Sequence, residues 1–376
     1  MSSVNFLRRL LTALLLPGVL LCGANKGNCS PPGPPATVES VIQAWERRQS
    51  AVRSFQFSWE ATQWWDRGRV PGAVSGATSA KEALPDAMSY KTRTTFAMDA
   101  QGRTRHEAHA MSWNSEVNRL VPTTSIEVCD GRIRRRFSPE GPTNRFEGVG
   151  EIPCGLIDQD VASVGQLVYL LPIRLVFRPF DQRIGNIDRR KLVVTGRHGV
   201  ADGCTCLVIE QGDQTFWVDP NRSFIPLRNF RSNRGVAVRQ VDIHYSEDKE
   251  WGWIPTAWTI MLLNPKDGKL TGSTVGKVTD YKINPPLPEG TFEITFPPGT
   301  WVRDLVKNEN YILREGAARR PVLAGEWDGR NYEQIRDSEP PGLSSGWKVF
   351  IASVSVLVLG GAVVWWLVAR RRRASR

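Results

Sequence analysis

The feature that most restricts what this chain can become is an uncharged run of 21 residues near its end, Val349 to Ala369. As a helix rising about 1.5 Å per residue, the run matches the ~30 Å apolar thickness of a bilayer. Trp347 stands on one side, Trp365 and Trp366 on the other, where amphipathic rings settle at headgroup level. Arg370 to Arg373 follow directly, and a cationic cluster resists translocation. A buried core helix has no reason to end on such a cluster. The run predicts a transmembrane helix over residues 348–369 and a basic cytoplasmic tail at 370–376. The bulk of the chain is then expected on the extracytoplasmic, periplasmic side of a cell membrane.

The opening fits the same topology. Arg8 and Arg9 precede an apolar stretch from Leu10 to Leu21 and the small residues Gly23 and Ala24, the layout of a secretory signal over residues 1–24. Cys22 follows Leu21, where a lipoprotein signal needs a small residue. The formal charge of +11 suggests a nucleic-acid partner until it is located. Arg8, Arg9, Arg370 to Arg373 and Arg376 carry seven of it, and +4 remains on everything between. The basic balance is mostly topological, and nucleic acid is not an expected partner.

Residues 25–36 are a Pro- and Gly-rich linker, residues 37–316 are expected to form one extracytoplasmic domain, and residues 317–347, polar and Pro-containing, read as a tether. Thr37 is placed to cap a helix whose apolar face is Val38, Val41, Ile42, Trp45 and Val52. The period then changes to two. Phe55, Phe57 and Trp59 alternate with Ser54, Gln56, Ser58 and Glu60, the pattern of a strand with one dry face. Asp66 to Asp86 read as a long loop, and Asp130-Gly131 predicts a tight hairpin turn. Val161, Val164, Val168 and Leu171 predict a second helix from Asp160 to near Pro172. Strand segments then follow almost without interruption, from KLVVTGRH (Lys191 to His198) to TFEITFP (Thr291 to Pro297). A leading helix, a long antiparallel meander and one inserted helix describe an α+β fold with a sheet curled around an apolar interior.

Four stretches carry a family resemblance: VRSFQFSWEAT (Val52 to Thr62), WVDPNRSFIPLR (Trp217 to Arg228), IPTAW (Ile254 to Trp258) and YKINPPLPEGTFEITFPPGTWVRD (Tyr281 to Asp304). Over roughly Thr37 to Asp304 the chain resembles LolA-like proteins, the periplasmic lipoprotein-sorting and lipoprotein-sensing half-barrels. In the best-defined piece, Asp219 and Pro220 open a turn while Trp217 and Leu227 are expected to meet across the hairpin. The resemblance implies a curved antiparallel sheet plugged by helices, an apolar concavity able to hold acyl chains, and no cofactor. It transfers no binding residue one by one. The candidate apolar face is Phe55, Phe57, Trp59, Trp217 and Trp258. A tethered chain does not shuttle, so a sensor or a fixed module for a lipid, lipoprotein or other amphiphile fits better than a carrier.

No convincing catalytic set emerges. His106, Glu107 and His109 superficially match a zinc protease, but those histidines must lie four apart on a helix. Here they are three apart on an expected strand, so their rings point to opposite faces. No metal site is expected. Cys129, Cys154, Cys204 and Cys206 are disulfide candidates outside the cytoplasm. Cys204 and Cys206 are too close to bond each other without strain, so pairing with Cys129 or Cys154 is preferred. Arg132, Arg134, Arg135 and Arg136 form a basic strand, either solvated or facing an anionic polymer or headgroup. Two alternative functions stay open: an envelope hydrolase acting on glycan or lipid through paired carboxylates, and a tethered protein-interaction module.

Overall fold

The computed structural model describes residues 37–66, 87–114, 119–139, 153–158, 168–180, 187–323, 325–326 and 330–338. The expected signal, linker, transmembrane helix and basic tail lie outside these residues. Among the described residues no helix is long and apolar enough to cross a membrane.

Helix α1 (Val38–Ala51) starts where its sequence says it should. Thr37 Oγ1 accepts the Ser40 amide at 3.1 Å and Ser40 Oγ accepts the Thr37 amide at 3.0 Å, a reciprocal cap that satisfies two end donors. Val41, Ala44 and Trp45 turn inward. The chain then enters β1 (Phe55–Asp66), and the remaining strands of the first arm are β2 (Ala87–Met98), β3 (Thr104–Asn114), β4 (Arg119–Cys129), β5 (Arg134–Ser138) and β6 (Cys154–Asp158). Helix α2 (Leu171–Phe177) separates the arms. The second arm is β7 (Val193–Ala201), β8 (Cys204–Gln211), β9 (Gln214–Asp219), β10 (Ile225–Asn233), β11 (Val236–Asp248), β12 (Gly252–Leu263) and β13 (Leu270–Ile283).

The first strand is the seam of the molecule. It pairs antiparallel with β2 on one side and with β13 on the other, joining two meanders into one sheet. Phe55 and Phe57 on β1, Phe96 on β2, Ile209 on β8, Phe216 on β9 and Trp258 on β12 belong to one buried cluster together with residues of α1 and α2. A flat sheet cannot bring strands so far apart in its order into one core, so the sheet curves around the helices. The expected α+β half-barrel architecture is what the described residues form. Close packing at the seam uses a glycine. Trp258 lies flat over Gly276, where a Cβ would stand 2.4 Å from the indole.

Asp219 explains the W-x-D-P motif. Asp219 Oδ1 accepts the Asn221 amide at 2.9 Å, its carbonyl accepts the Phe224 amide at 2.9 Å, and its carboxylate pairs with Arg222 at 3.2 Å. The turn holds Ser223 and Phe224 at φ 54° and 57°. Helix α1 grips this strained corner: Trp45 Nε1 donates to the Phe224 carbonyl and Arg48 to the Ser223 carbonyl, both at 2.7 Å. The motif is a latch between the leading helix and the second arm.

Four expectations need correction. Trp217 pairs with Arg228 rather than meeting Leu227, because a bulge between Pro226 and Arg228 skips that residue. Pro172 opens α2 instead of ending a helix, since a proline lacking an N–H fits a first turn; residues 159–167 lie outside the description. TFEITFP is not a strand: its start is a 3-10 turn at Glu289–Phe292 and the rest lies outside any strand. The polar stretch read as a tether from 317 has regular structure among its described residues up to Ser338. Ahead of it β14 (Trp301–Asp304) pairs parallel with β6 and β15 (Glu309–Leu313) pairs with β14, and within it β16 (Arg319–Pro321) extends the sheet. Helix α3 (Tyr332–Asp337) closes a small core of Cys154, Trp301, Ile312, Val322, Tyr332 and Ile335. Buried Arg320 ion-pairs with Glu326 and donates to the Ser338 carbonyl at 2.9 Å.

Candidate functional site

Directly opposed residues of an antiparallel ladder share a face, so the register sorts the interior side chains into files. The file through Phe57 runs Tyr281, Phe57, Phe96, His106, Glu127, Arg136, Leu156 from β13 to β6. The file beside it runs Phe55, Met98, Thr104, Cys129, Arg134, Asp158. Both change character at β3. On the β1–β2 side these two files are aromatic and aliphatic, and on the β3–β6 side they are mostly polar.

The apolar half is covered by α1 and α2. Phe177 of α2 lies 5.4 Å from Phe55 and 5.7 Å from Phe57 between ring centroids, and Trp45 of α1 meets Phe216 edge-on at 6.1 Å. Trp59 meets Trp258 edge-on at 5.5 Å. Of the candidate apolar face, Phe55, Phe57, Trp59 and Trp258 come together here, all fully buried under the helices. Trp217 does not join them. It lies on the outer face, with Arg228 above its ring at 4.9 Å and Phe230 at 5.9 Å, opposite in direction to its buried neighbours Phe216 and Val218.

The polar half is built around His106. Its imidazole is 3% exposed and lies 5.3 Å from the Tyr169 ring at a 35° tilt. Opposite it, Glu127 is equally buried and accepts from Arg136 Nε at 2.8 Å through Oε2. Arg136 itself reaches solvent, with 42% of its side chain exposed, so the file is buried at His106 and wet at its outer end. Burial, helped by the Arg136 charge, pushes the His106 pKa down to about 3, which leaves the ring neutral at pH 7. Burial and the Glu127 charge raise the Tyr169 phenol above its ordinary value.

Among the described residues three polar atoms of this half have no hydrogen-bond partner: Thr104 Oγ1, His106 Nε2 and Glu127 Oε1. A buried polar atom left without a partner costs about 1–3 kcal/mol, so three on adjacent strands mark a place the fold tolerates for another reason. In the neighbouring file Arg134 ion-pairs with Asp158. Three of the four arginines of the basic stretch are neutralised: Arg134 and Arg136 turn inward onto carboxylates and Arg135 pairs with Asp130 at 3.2 Å on the outside, while Arg132 is exposed in the turn before the strand. His109 is exposed where His106 is buried, so the two rings do point to opposite faces. Among the described residues no group of three or more His, Cys, Asp or Glu is arranged to hold a metal ion.

The cysteines sit apart. Cys129 and Cys154 flank opposite ends of β5, while Cys204 and Cys206 lie on β8 at the far end of the sheet order. Register does not bring the preferred pairs together. Burial raises the Cys206 thiol to about 11.

Sequence reasoning missed the polar half. The parity of His106 with Thr104 and of Glu127 with Cys129 was available. What hid it is that Glu127, Val128 and Cys129 are all buried, so the alternation that reveals an inner face disappears. The outer face there is covered by the segment around Thr291, to which Arg105 Nη1 donates through the carbonyls of Thr291 and Glu293 at 3.4 Å.

No protein-family model matches the chain, and no curated protein matches its sequence. Among solved structures it is similar to one described as an outer membrane lipoprotein-sorting protein domain from Vibrio parahaemolyticus. That match has 10% identity, covers 68% of this chain and 97% of that one, and has a TM-score of 0.40. It is also similar to a LolA superfamily protein from Nitrosomonas europaea, at 14% identity over 69% of this chain and 99% of that one, with a TM-score of 0.36.

Proposed function

We propose that this chain is a single-span envelope protein whose extracytoplasmic half-barrel binds an amphiphile, either a lipid or the acyl part of a lipoprotein, beside the membrane. The observation that carries the reading is the divided interior: an aromatic face of Phe55, Phe57, Phe96, Trp59 and Trp258 running directly into buried polar residues. An acyl chain has the chemistry of the first and a headgroup that of the second. The apolar half is filled in the unliganded chain, so binding requires a cover to move. Helix α2 suits that role. Its seven residues have no side-chain cap, and a helix this short is held by burial rather than by its own hydrogen bonds.

A binder is favoured over a hydrolase because Glu127 and Asp158, interior carboxylates of the polar half, each lie against an arginine rather than facing one another. The membrane span and periplasmic placement rest on the uncharged run and the flanking arginines. Native mass spectrometry of the delipidated chain offered monoacyl amphiphiles is the test. One-to-one adducts are the expected result, and a protein that stays empty at saturating ligand contradicts the proposal. For the topology, protease added to intact spheroplasts is expected to degrade the body of the chain.

A further inference from the structure

Thr104 Oγ1, His106 Nε2 and Glu127 Oε1 form a group with mixed needs. The carboxylate oxygen only accepts. The threonine hydroxyl does either, and the neutral imidazole nitrogen donates or accepts according to its tautomer. Thr104 and His106 are two apart on β3 and so share a face, and Glu127 is the register partner of His106 on β4. All three side chains are 3% exposed.

Charge narrows the ligand. Arg136 neutralises Glu127 through Oε2 and the imidazole is uncharged, so the group offers no net positive charge to an anion. A carboxylate or phosphate headgroup brings no donor for Glu127 Oε1 and adds a like charge beside it. An ammonium donates but cannot accept. A hydroxyl does both, and a group carrying two or three of them matches the whole set. Arg136, half in solvent, marks where such a headgroup meets water.

We propose that these three residues form a headgroup subsite for a polyhydroxylated amphiphile, a monoacylglycerol or an alkyl glycoside, whose hydrocarbon chain occupies the adjoining aromatic half. The proposal rests on the reading of the interior as an amphiphile site. It assigns that site a headgroup class.

The chain has four histidines, at positions 106, 109, 198 and 244, so labelling histidine ring nitrogens with 15N gives a short, assignable spectrum. The full chain, held in an amphipathic polymer, is titrated with 1-monolauroylglycerol, dodecyl glucoside, dodecanoate and dodecylammonium. The hydroxylated pair is expected to move the His106 Nε2 resonance saturably, and the stronger of the two tells glycerol from sugar. Dodecanoate and dodecylammonium are expected to bind at least about tenfold more weakly and to leave that resonance in place. Uptake of all four alike with His106 unmoved overturns the subsite while the interior reading stands. Uptake of none overturns both.

Thr104→Val supplies a variant that keeps the side-chain shape and removes an orphaned hydroxyl, so it is expected to fold. Its affinity for the preferred hydroxylated ligand is expected to drop several-fold with dodecanoate unaffected. Unchanged affinity contradicts the role given to Thr104. Glu127→Gln is expected to weaken the same ligand at least about tenfold, and equal binding by the folded variant contradicts the subsite.

Discussion

At the scale of single residues, His106 is where fold and proposed function meet. Its pKa near 3, against 6.5 for an ordinary histidine, means that the unfolded chain binds a proton that the folded chain refuses between those values. Stability therefore falls as pH drops below 6.5, by up to about 1.4 kcal/mol per pH unit from this residue. His244 has the reverse sign: its bond to Asp202 raises its pKa, so its contribution is complete below 6.5 and is lost as pH rises through the folded value. Within the window from pH 6 to pH 5 the histidine-linked loss is expected to come from His106. Urea midpoints measured at both values are expected to fall in the native chain and to hold nearly level in His106→Phe. An equal drop in both chains contradicts the buried, neutral imidazole.

At the scale of elements, the sequence was readable wherever one face of an element is wet. The helix from Thr37, the alternation of Phe55, Phe57 and Trp59, and the turn at Asp130-Gly131 all appear as expected, because local patterning decides them. Reading failed where non-local pairing decides. The parallel partnership of β14 with β6, the bulge that skips Leu227, and the burial of both faces at Glu127 to Cys129 have no local signature. The latch of α1 on the Asp219 turn is of the same kind, since it joins residues 179 positions apart. Trp45→Phe keeps most of the ring and removes the bond to the Phe224 carbonyl. It is expected to cost about 1 kcal/mol. Amide exchange is expected to speed up in α1 and in the 219–224 turn while β12 and β13 keep their protection; uniform loss of protection contradicts a local latch.

At the scale of the whole molecule, the sheet has two ends with different tasks. The second arm and the seam strand carry the aromatic interior. The first arm carries the polar residues and is braced by a small core to which Val322, Tyr332 and Ile335 of the stretch read as a tether contribute. Arg320→Ala removes the buried partner of Glu326, which keeps Arg330 at 3.2 Å, and with it the bond to the Ser338 carbonyl; losing charge-assisted bonds of this kind costs about 1.5–3 kcal/mol. The variant is expected to lose that much in urea unfolding; a chain of native stability contradicts residues 319–338 being part of the fold. The central claim is that the divided interior takes up an amphiphile. A crystal of the chain with a monoacylglycerol brominated near its chain end tests it most directly. The account predicts anomalous bromine signal between α2 and the face formed by Phe57, Trp59 and Trp258, with the glycerol against His106 and Glu127. Bromine on the outer face, with both helices seated as they are in the unliganded chain, contradicts it.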